Sequence, residues 1–302
     1  MNLYEIYSRI STLKKAKDAI ILAHNYQSIE IQQIADMVGD SFQLAKVASE
    51  IQSSMIVFCG VKFMTETAKL LNPDARVLLS NNDAGCPMAD MVKVEDLQLF
   101  KKKNPHHLVV CYVNSSVEVK ALSDVCVTSS NAVQIVKKLP INVPILFVPD
   151  RNLGHYVKIM TGRKIDLWDG YCPVHQENIT INDLINARGK YPTHKIAVHP
   201  ECEPKVVEKA DFIGSTKQLI DYTDKHENVI IGTETSLTKM LQKKYPQKSI
   251  ISLSDKATCI DMQRTNVLNV LETLENESNE TIIPDNISTK ALNAITKMLE
   301  FN

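Results

Sequence analysis

A chain of 302 residues, 44% of them hydrophobic, has material for a sizeable core and room for two or three domains. Its 34 basic and 35 acidic side chains nearly cancel, which excludes the broad basic field of a nucleic-acid or anionic-membrane binder and makes any anion site a local one. Seven thinly spread cysteines fit reduced thiols or metal ligands better than a secreted disulfide framework. No window approaches a membrane-spanning length and Met1 to Ile6 carries no targeting pattern, so the expectation is a cytoplasmic protein with no membrane and no nucleic-acid partner.

In chain order, residues 1–18 carry Leu3, Ile6, Ile10 and Leu13 at helical spacing, and a buried strand follows at 19–23, ending in His24-Asn25-Tyr26. A short helix at 29–38 leads to Gly39-Asp40-Ser41, where Ser41 is expected to cap the helix 42–51. Next come a strand at 55–59, a helix at 63–71, a turn at Asn72-Pro73-Asp74 and a strand at 75–79 that delivers Cys86. The plan recurs from Leu108, whose strand ends in Tyr112-Val113-Asn114. Thr128-Ser129-Ser130-Asn131 then precedes a helix at 132–138, and strands at 145–148 and 164–168 deliver Cys172. It recurs again from Lys195: His199-Pro200-Glu201 ends the strand, Gly214-Ser215-Thr216 opens a helix, and strands at 229–231 and 249–253 deliver Cys259. Beyond Cys259 lie a helix at 262–274, a polar turn and a helix at 288–299, expected to pack back on the first unit.

The offsets make this a true repeat. His24, Tyr112 and His199 stand 88 and 87 residues apart; Ser41, Ser129 and Thr216 each follow 17 positions later; Cys86, Cys172 and Cys259 follow the same origins by 62, 60 and 60. The expected fold class is therefore α/β: three homologous α/β/α units with parallel sheets, in pseudo-threefold arrangement around a central active site. The units span 1–87, 88–173 and 174–260, and 261–302 forms the helical tail.

Ligands of parallel sheets collect at the carboxyl ends of the strands. The pairs His24 with Tyr26, Tyr112 with Asn114, and His199 with Glu201 sit there, two apart on chain expected to be extended, so each pair faces one side. Hydroxyls and free amides at Ser41, Ser129 and Thr216 suit phosphates and carboxylates, although a Ser or Thr before a helix is usually a plain cap. Cys86, Cys172 and Cys259 suit a metal, one ligand short of tetrahedral zinc or of a fully ligated [4Fe-4S] cluster, and an open iron would act as a Lewis acid. Cys59, Cys111, Cys126 and Cys202 read as core thiols. Glu201 and Tyr26 are the candidates for proton transfer. His175 either orients a ligand or bonds the backbone, and Asp150, Arg151 and Glu234 read as structural ion pairs.

These motifs resemble the quinolinate synthase (NadA) family nearly end to end: Leu22-Ala23-His24-Asn25-Tyr26-Gln27, Gly39-Asp40-Ser41, Cys86-Pro87-Met88-Ala89, Tyr112-Val113-Asn114-Ser115, Pro149-Asp150-Arg151-Asn152-Leu153-Gly154, Cys172-Pro173-Val174-His175-Gln176, His199-Pro200-Glu201-Cys202, Gly214-Ser215-Thr216 and Gly232-Thr233-Glu234. The resemblance implies condensation of iminoaspartate with dihydroxyacetone phosphate to quinolinate, phosphate and water in NAD biosynthesis. It further implies a [4Fe-4S] cluster on Cys86, Cys172 and Cys259 with one open iron. His24, Ser41, Tyr112, Asn114, Ser129, His199, Glu201 and Thr216 would hold substrate; Glu201, Tyr26 and His24 would be catalytic. A functional link to an aspartate oxidase or dehydrogenase accords with this role. The Cys-x-x-Cys pair that some members carry is missing here, so redox control by that route is not expected. Two alternatives stand beside this reading: an iron–sulfur hydro-lyase acting on a small polycarboxylate, and a zinc-stapled binding module.

Overall fold

Runs such as Ile20 to Ala23, Met55 to Cys59 and Ile145 to Val148 are apolar on both faces, and such strands persist only where both sides of a sheet are covered. In the computed structural model, which describes residues 1–301, they form the middles of three separate four-stranded, all-parallel sheets. The first holds β1 (Ala19–His24), β2 (Met37–Gly39), β3 (Met55–Cys59) and β4 (Arg76–Leu79), in the order β2-β1-β3-β4. The second holds β5 (Leu108–Tyr112), β6 (Val125–Val127), β7 (Ile145–Val148) and β8 (Ile165–Leu167), in the order β6-β5-β7-β8. The third holds β9 (Lys195–Val198), β10 (Phe212–Ile213), β11 (Asn228–Gly232) and β12 (Ser249–Ser252), in the order β10-β9-β11-β12. One topology thus occurs three times, as the sequence offsets require.

The repetition assigns one job to each slot in the sheet. The inner strands β1, β5 and β9 deliver His24, Tyr112 and His199; the short edge strands β2, β6 and β10 lead to Ser41, Ser129 and Thr216; and the opposite edges β4, β8 and β12 lead to the three cysteines. Connections leave the inner strands in opposite directions, and a crevice opens where they diverge.

The short edge strands are the main departure from the sequence reading. The helix expected over 29–38 stops at Ile34, and Met37–Gly39 turns into β2 beside β1. Two or three residues are too few for a period to register, so β2, β6 and β10 left no signal.

The tail differs as well. Its first helix is interrupted, Ile260–Gln263 and then Val267–Asn276, because Asn266 caps the second piece by accepting from Leu268 and Asn269 N–H. That piece packs on the helix Leu3–Ala16 and on β3 in the first sheet's layer, as expected, and Arg9 pairs there with Glu275. The last helix, Asp285–Glu300, instead seats its Ala291, Ala294, Ile295 and Met298 stripe chiefly on the helix Val117–Ala121 and β6, and meets the first layer mainly at Lys62–Leu71. An apolar stripe states that a helix is covered, not by which sheet. No helix among the described residues is long and apolar enough to cross a membrane.

Candidate functional site

The carboxyl ends of all three sheets face one cavity of about 230 Å³. Its lining includes His24, Tyr26 and Ser41 from the first sheet, Tyr112, Asn114 and Ser129 from the second, and His199, Glu201 and Thr216 from the third. Cys86, Cys172 and Cys259 line it too, as do His175, Asp40 and Glu234. Every candidate residue named from the sequence is therefore in this one place.

The strand-end pairs work differently from the extended geometry expected of them. After His24 and His199 the chain turns at once, with Gln27 N–H donating to His24 O at 2.9 Å and Cys202 N–H to His199 O at 3.0 Å. Each imidazole Nδ1 then accepts the amide two residues on, Tyr26 N at 3.2 Å and Glu201 N at 3.4 Å. With Nδ1 accepting, a neutral ring carries its proton on Nε2; that of His199 lies 3.2 Å from Ser129 Oγ. Burial lowers His24 to about 4 and His199 to about 3, against a smaller opposing pull from Glu201, so both are neutral donors at pH 7.

Glu201 is the hub. Tyr112 Oη donates to its Oε1 at 2.6 Å, and His175 Nδ1 lies 2.8 Å from Oε2. His175 Nε2 lies 2.8 Å from Thr233 Oγ1, which lies 2.5 Å from Tyr26 Oη. A chain of polar atoms therefore joins the two groups proposed for proton transfer. Burial pushes the Glu201 carboxyl up, but the facing histidines and the hydrogen bonds from His175 and Tyr112 outweigh it and bring it down to about 2. Burial and then the Glu201 charge raise both Tyr26 and Tyr112 well above the usual phenol range, so both stay protonated.

The hydroxyl positions need one correction. Ser41 is not the cap of its helix: Asp40 is, accepting from Gln43 N–H at 2.9 Å, and Ser215 likewise caps ahead of Thr216. Ser129 stands two residues before Asn131, which begins the helix Ala132–Lys138. The three hydroxyls are thus not consumed by capping, which weakens the plain-cap interpretation of each. Asn114 Oδ1 is buried without a protein partner, a spare acceptor at the cavity.

The cysteines fall into two sets. Cys59, Cys111, Cys126 and Cys202 are buried, as core thiols should be, while Cys86, Cys172 and Cys259 are half-exposed. Cys172 and Cys259 begin the short helices Pro173–Asn178 and Ile260–Gln263, and backbone amides approach all three sulfurs. Burial nevertheless raises all three thiols, Cys259 to about 11 and the other two further, and neighbouring carboxylates add to it; among the described residues neither lysine nor arginine lines the cavity. Three partly exposed thiols from three sheets on the wall of one cavity are a soft donor set, and the residues fit a metal centre. His175 Nδ1 is 3.2 Å from Cys172 Sγ, and the Cys172, His175 and Glu201 ligand atoms lie within 4.8 Å of one another. Both ring nitrogens of His175 already have protein partners, which makes it an orienting group more than a ligand.

Asp150 and Glu234, expected to form ion pairs, are helix caps instead. Asp150 accepts from Asn152 and Leu153 N–H, both at 2.8 Å, and Glu234 accepts from Ser236 N–H at 2.7 Å and from Cys259 N–H at 3.3 Å. Arg151 does pair, with Asp169 at 2.5 Å. Thr233, Asp40, Ser130 and Ser215 are not among the site residues expected from the sequence; Thr233, Asp40 and Ser215 stand within the quoted motifs, and Asp40, Ser130 and Ser215 each stand beside a repeated hydroxyl, the signal that could have marked them.

Comparison with known proteins agrees with this geometry. The family model for quinolinate synthetase A protein matches residues 8–300. The quinolinate synthase of Caldicellulosiruptor bescii is 47% identical over 303 residues, 99% of each chain, and that of Clostridium kluyveri is 45% identical over 297 residues, 97% of each chain. The match runs through all three sheets and the tail, and the chain belongs to the quinolinate synthetase A (NadA) family.

Proposed function

We propose that this protein is a quinolinate synthase of NAD biosynthesis, joining iminoaspartate to dihydroxyacetone phosphate with release of phosphate and water. The observation that carries the reading is the meeting of three half-exposed thiols with hydroxyl, imidazole and carboxylate groups from three sheets in one cavity, in a chain matched end to end by quinolinate synthases. An enzyme that oxidises aspartate, an oxidase or a dehydrogenase, would have to supply the imine.

In this reading Cys86, Cys172 and Cys259 hold a [4Fe-4S] cluster, which when bound supplies an iron with an open position as a Lewis acid for a hydroxyl, carboxylate or imine. The hydroxyls of Ser41, Ser129 and Thr216, the Nε2–H groups of His24 and His199, and the Asn114 side-chain N–H hold the phosphate and carboxylates, while Asn114 Oδ1 is left to accept from a substrate hydroxyl. Neutral donors suit this task, since a cavity without lysine or arginine binds an anion yet leaves the departing phosphate no fixed counter-charge to escape. Glu201, ionised and aimed by Tyr112 and His175, takes the proton from the triose carbon as it enolises. Tyr26, kept protonated by burial, gives a proton to a departing hydroxyl. The engagement of both His175 nitrogens speaks against the zinc module closed by three cysteines and a histidine.

The test is iron and acid-labile sulfide per chain in protein purified without oxygen, beside Cys172→Ser, followed by assay of quinolinate formation. About four of each in the wild type, lost in the variant together with product formation, is the expected result. Zinc near one per chain without sulfide would overturn it.

A further inference from the structure

Ser41, Ser129 and Thr216 come from three sheets that share no strand pairing, so nothing in the sheets themselves fixes their mutual spacing. Each, however, is the chain neighbour of one member of a small polar cluster: Asp40, Ser130 and Ser215. Ser130 Oγ lies 2.6 Å from Asp40 Oδ2 and 2.8 Å from Ser215 Oγ, and Ser215 Oγ lies 3.4 Å from the same carboxylate oxygen. Asp40 and Ser215 have other duties, capping their helices through Gln43 and Gln218 N–H. Ser130 has none: the cap position belongs to Asn131, and the Ser130 hydroxyl touches only the two cluster members. Ser130 also lies off the cavity wall, whereas its neighbour Ser129 is on it.

The proton count closes. Two hydroxyls carry two protons and the carboxylate only accepts, so Ser130 donates to Asp40 while Ser215 donates to Ser130 or to Asp40. A carboxylate acceptor makes these the stronger, charge-assisted kind of hydrogen bond. We infer that Ser130 is a positioning residue for the anion-binding face: its hydroxyl ties Asp40 to Ser215, and so sets the spacing at which Ser41, Ser129 and Thr216 meet a phosphate or carboxylate of the substrate. The inference rests on the quinolinate synthase reading for the identity of that substrate, not for the cluster itself.

The test compares Ser130→Ala and Ser130→Thr with wild type as anaerobically purified holoenzyme, reading KM for dihydroxyacetone phosphate, kcat, calorimetric affinity for inorganic phosphate, iron content and Tm. In S130A, KM and the phosphate dissociation constant are expected to rise about tenfold while kcat falls less than about threefold; S130T, which restores the hydroxyl, recovers most of the loss. Unchanged KM and phosphate affinity in S130A would overturn the inference, whether or not Tm falls, because that leaves Ser130 at most a structural role. So would a loss that S130T fails to recover while melting like wild type. A wild type that makes no quinolinate but binds phosphate sinks the proposed activity alone, and the phosphate affinities of the variants still decide; one that does neither removes the anion-binding face and the inference with it.

Discussion

The cavity and the seam between the first two sheets' helical layers both bury ionisable groups, but they leave different remainders. In the seam Lys120, with no exposure at all, donates to Phe63 O at 3.0 Å and to Thr67 Oγ1 at 3.1 Å and lies 5.5 Å from the centre of the Phe63 ring. Glu66 accepts Val117 N–H at 3.0 Å, and Lys120 attracts its carboxyl against the upward push of burial. These contacts run from the helix Lys62–Leu71 to Val117–Ala121 and finish there. In the cavity Asn114 Oδ1 has no partner and three thiols face no cation. Burial of charge is common to both regions; of the two, only the cavity keeps a buried side-chain oxygen without a partner, at Asn114. Stability belongs to the first region and chemistry to the second.

The largest effect that would test this division is Glu201→Gln. The amide keeps the shape but cannot take a proton, so kcat should fall by about 10²–10⁴, with Tm moving by no more than about 2–4 °C. A collapse of Tm that matched the loss of activity would turn Glu201 into a structural group and break the comparison. Seam substitution should do the opposite. Lys120→Met removes the donor to Phe63 O and Thr67 Oγ1 and a charge that attracts the buried Glu66, and should cost about 1–3 kcal/mol of unfolding free energy by denaturant titration, with kcat well below the melting transition close to wild type. Adding Glu66→Gln should return part of that loss, since the two groups act on each other. Additive costs would mean that they do not.

Much of this was legible from residue spacing. Two near-equal intervals between three cysteines, with aligned strand ends and hydroxyls, were enough to place the candidate residues, because a repeat of one unit must deliver equivalent positions to equivalent places. What the spacing could not carry were contacts between units. Lys120 looks like one more helix lysine until Phe63 is packed over it, and Ser130 looks like a loop serine until Asp40 and Ser215, 90 and 85 positions away, arrive beside it. The paired placement of His24 and His199 was legible while their local geometry was not, since an imidazole that accepts its own turn's amide is an arrangement that no alternation pattern encodes.

The smallest expected effect sharpens the comparison through its sign. His24 sits at about 4 in the folded protein against an ordinary 6.5, because burial disfavours its charge. Between those values the unfolded chain binds a proton that the folded one refuses, so stability falls as pH drops from 6.5 toward 4 and levels off below. Glu66 is raised above 4.5, again first by burial, so the folded protein keeps a proton that the unfolded chain has lost. Its contribution is complete below 4.5 and is lost as pH rises through its folded value. Anaerobic urea midpoints from about pH 4.5 to 7.5 should therefore show His24→Gln losing less than wild type on acidification, and Glu66→Gln gaining on wild type as the solution becomes neutral. Parallel curves for His24→Gln and wild type would show that His24 can take up its proton without cost. The His24 imidazole would then be a cation available to a substrate anion, and the cavity would bind charge with charge instead of with neutral donors alone.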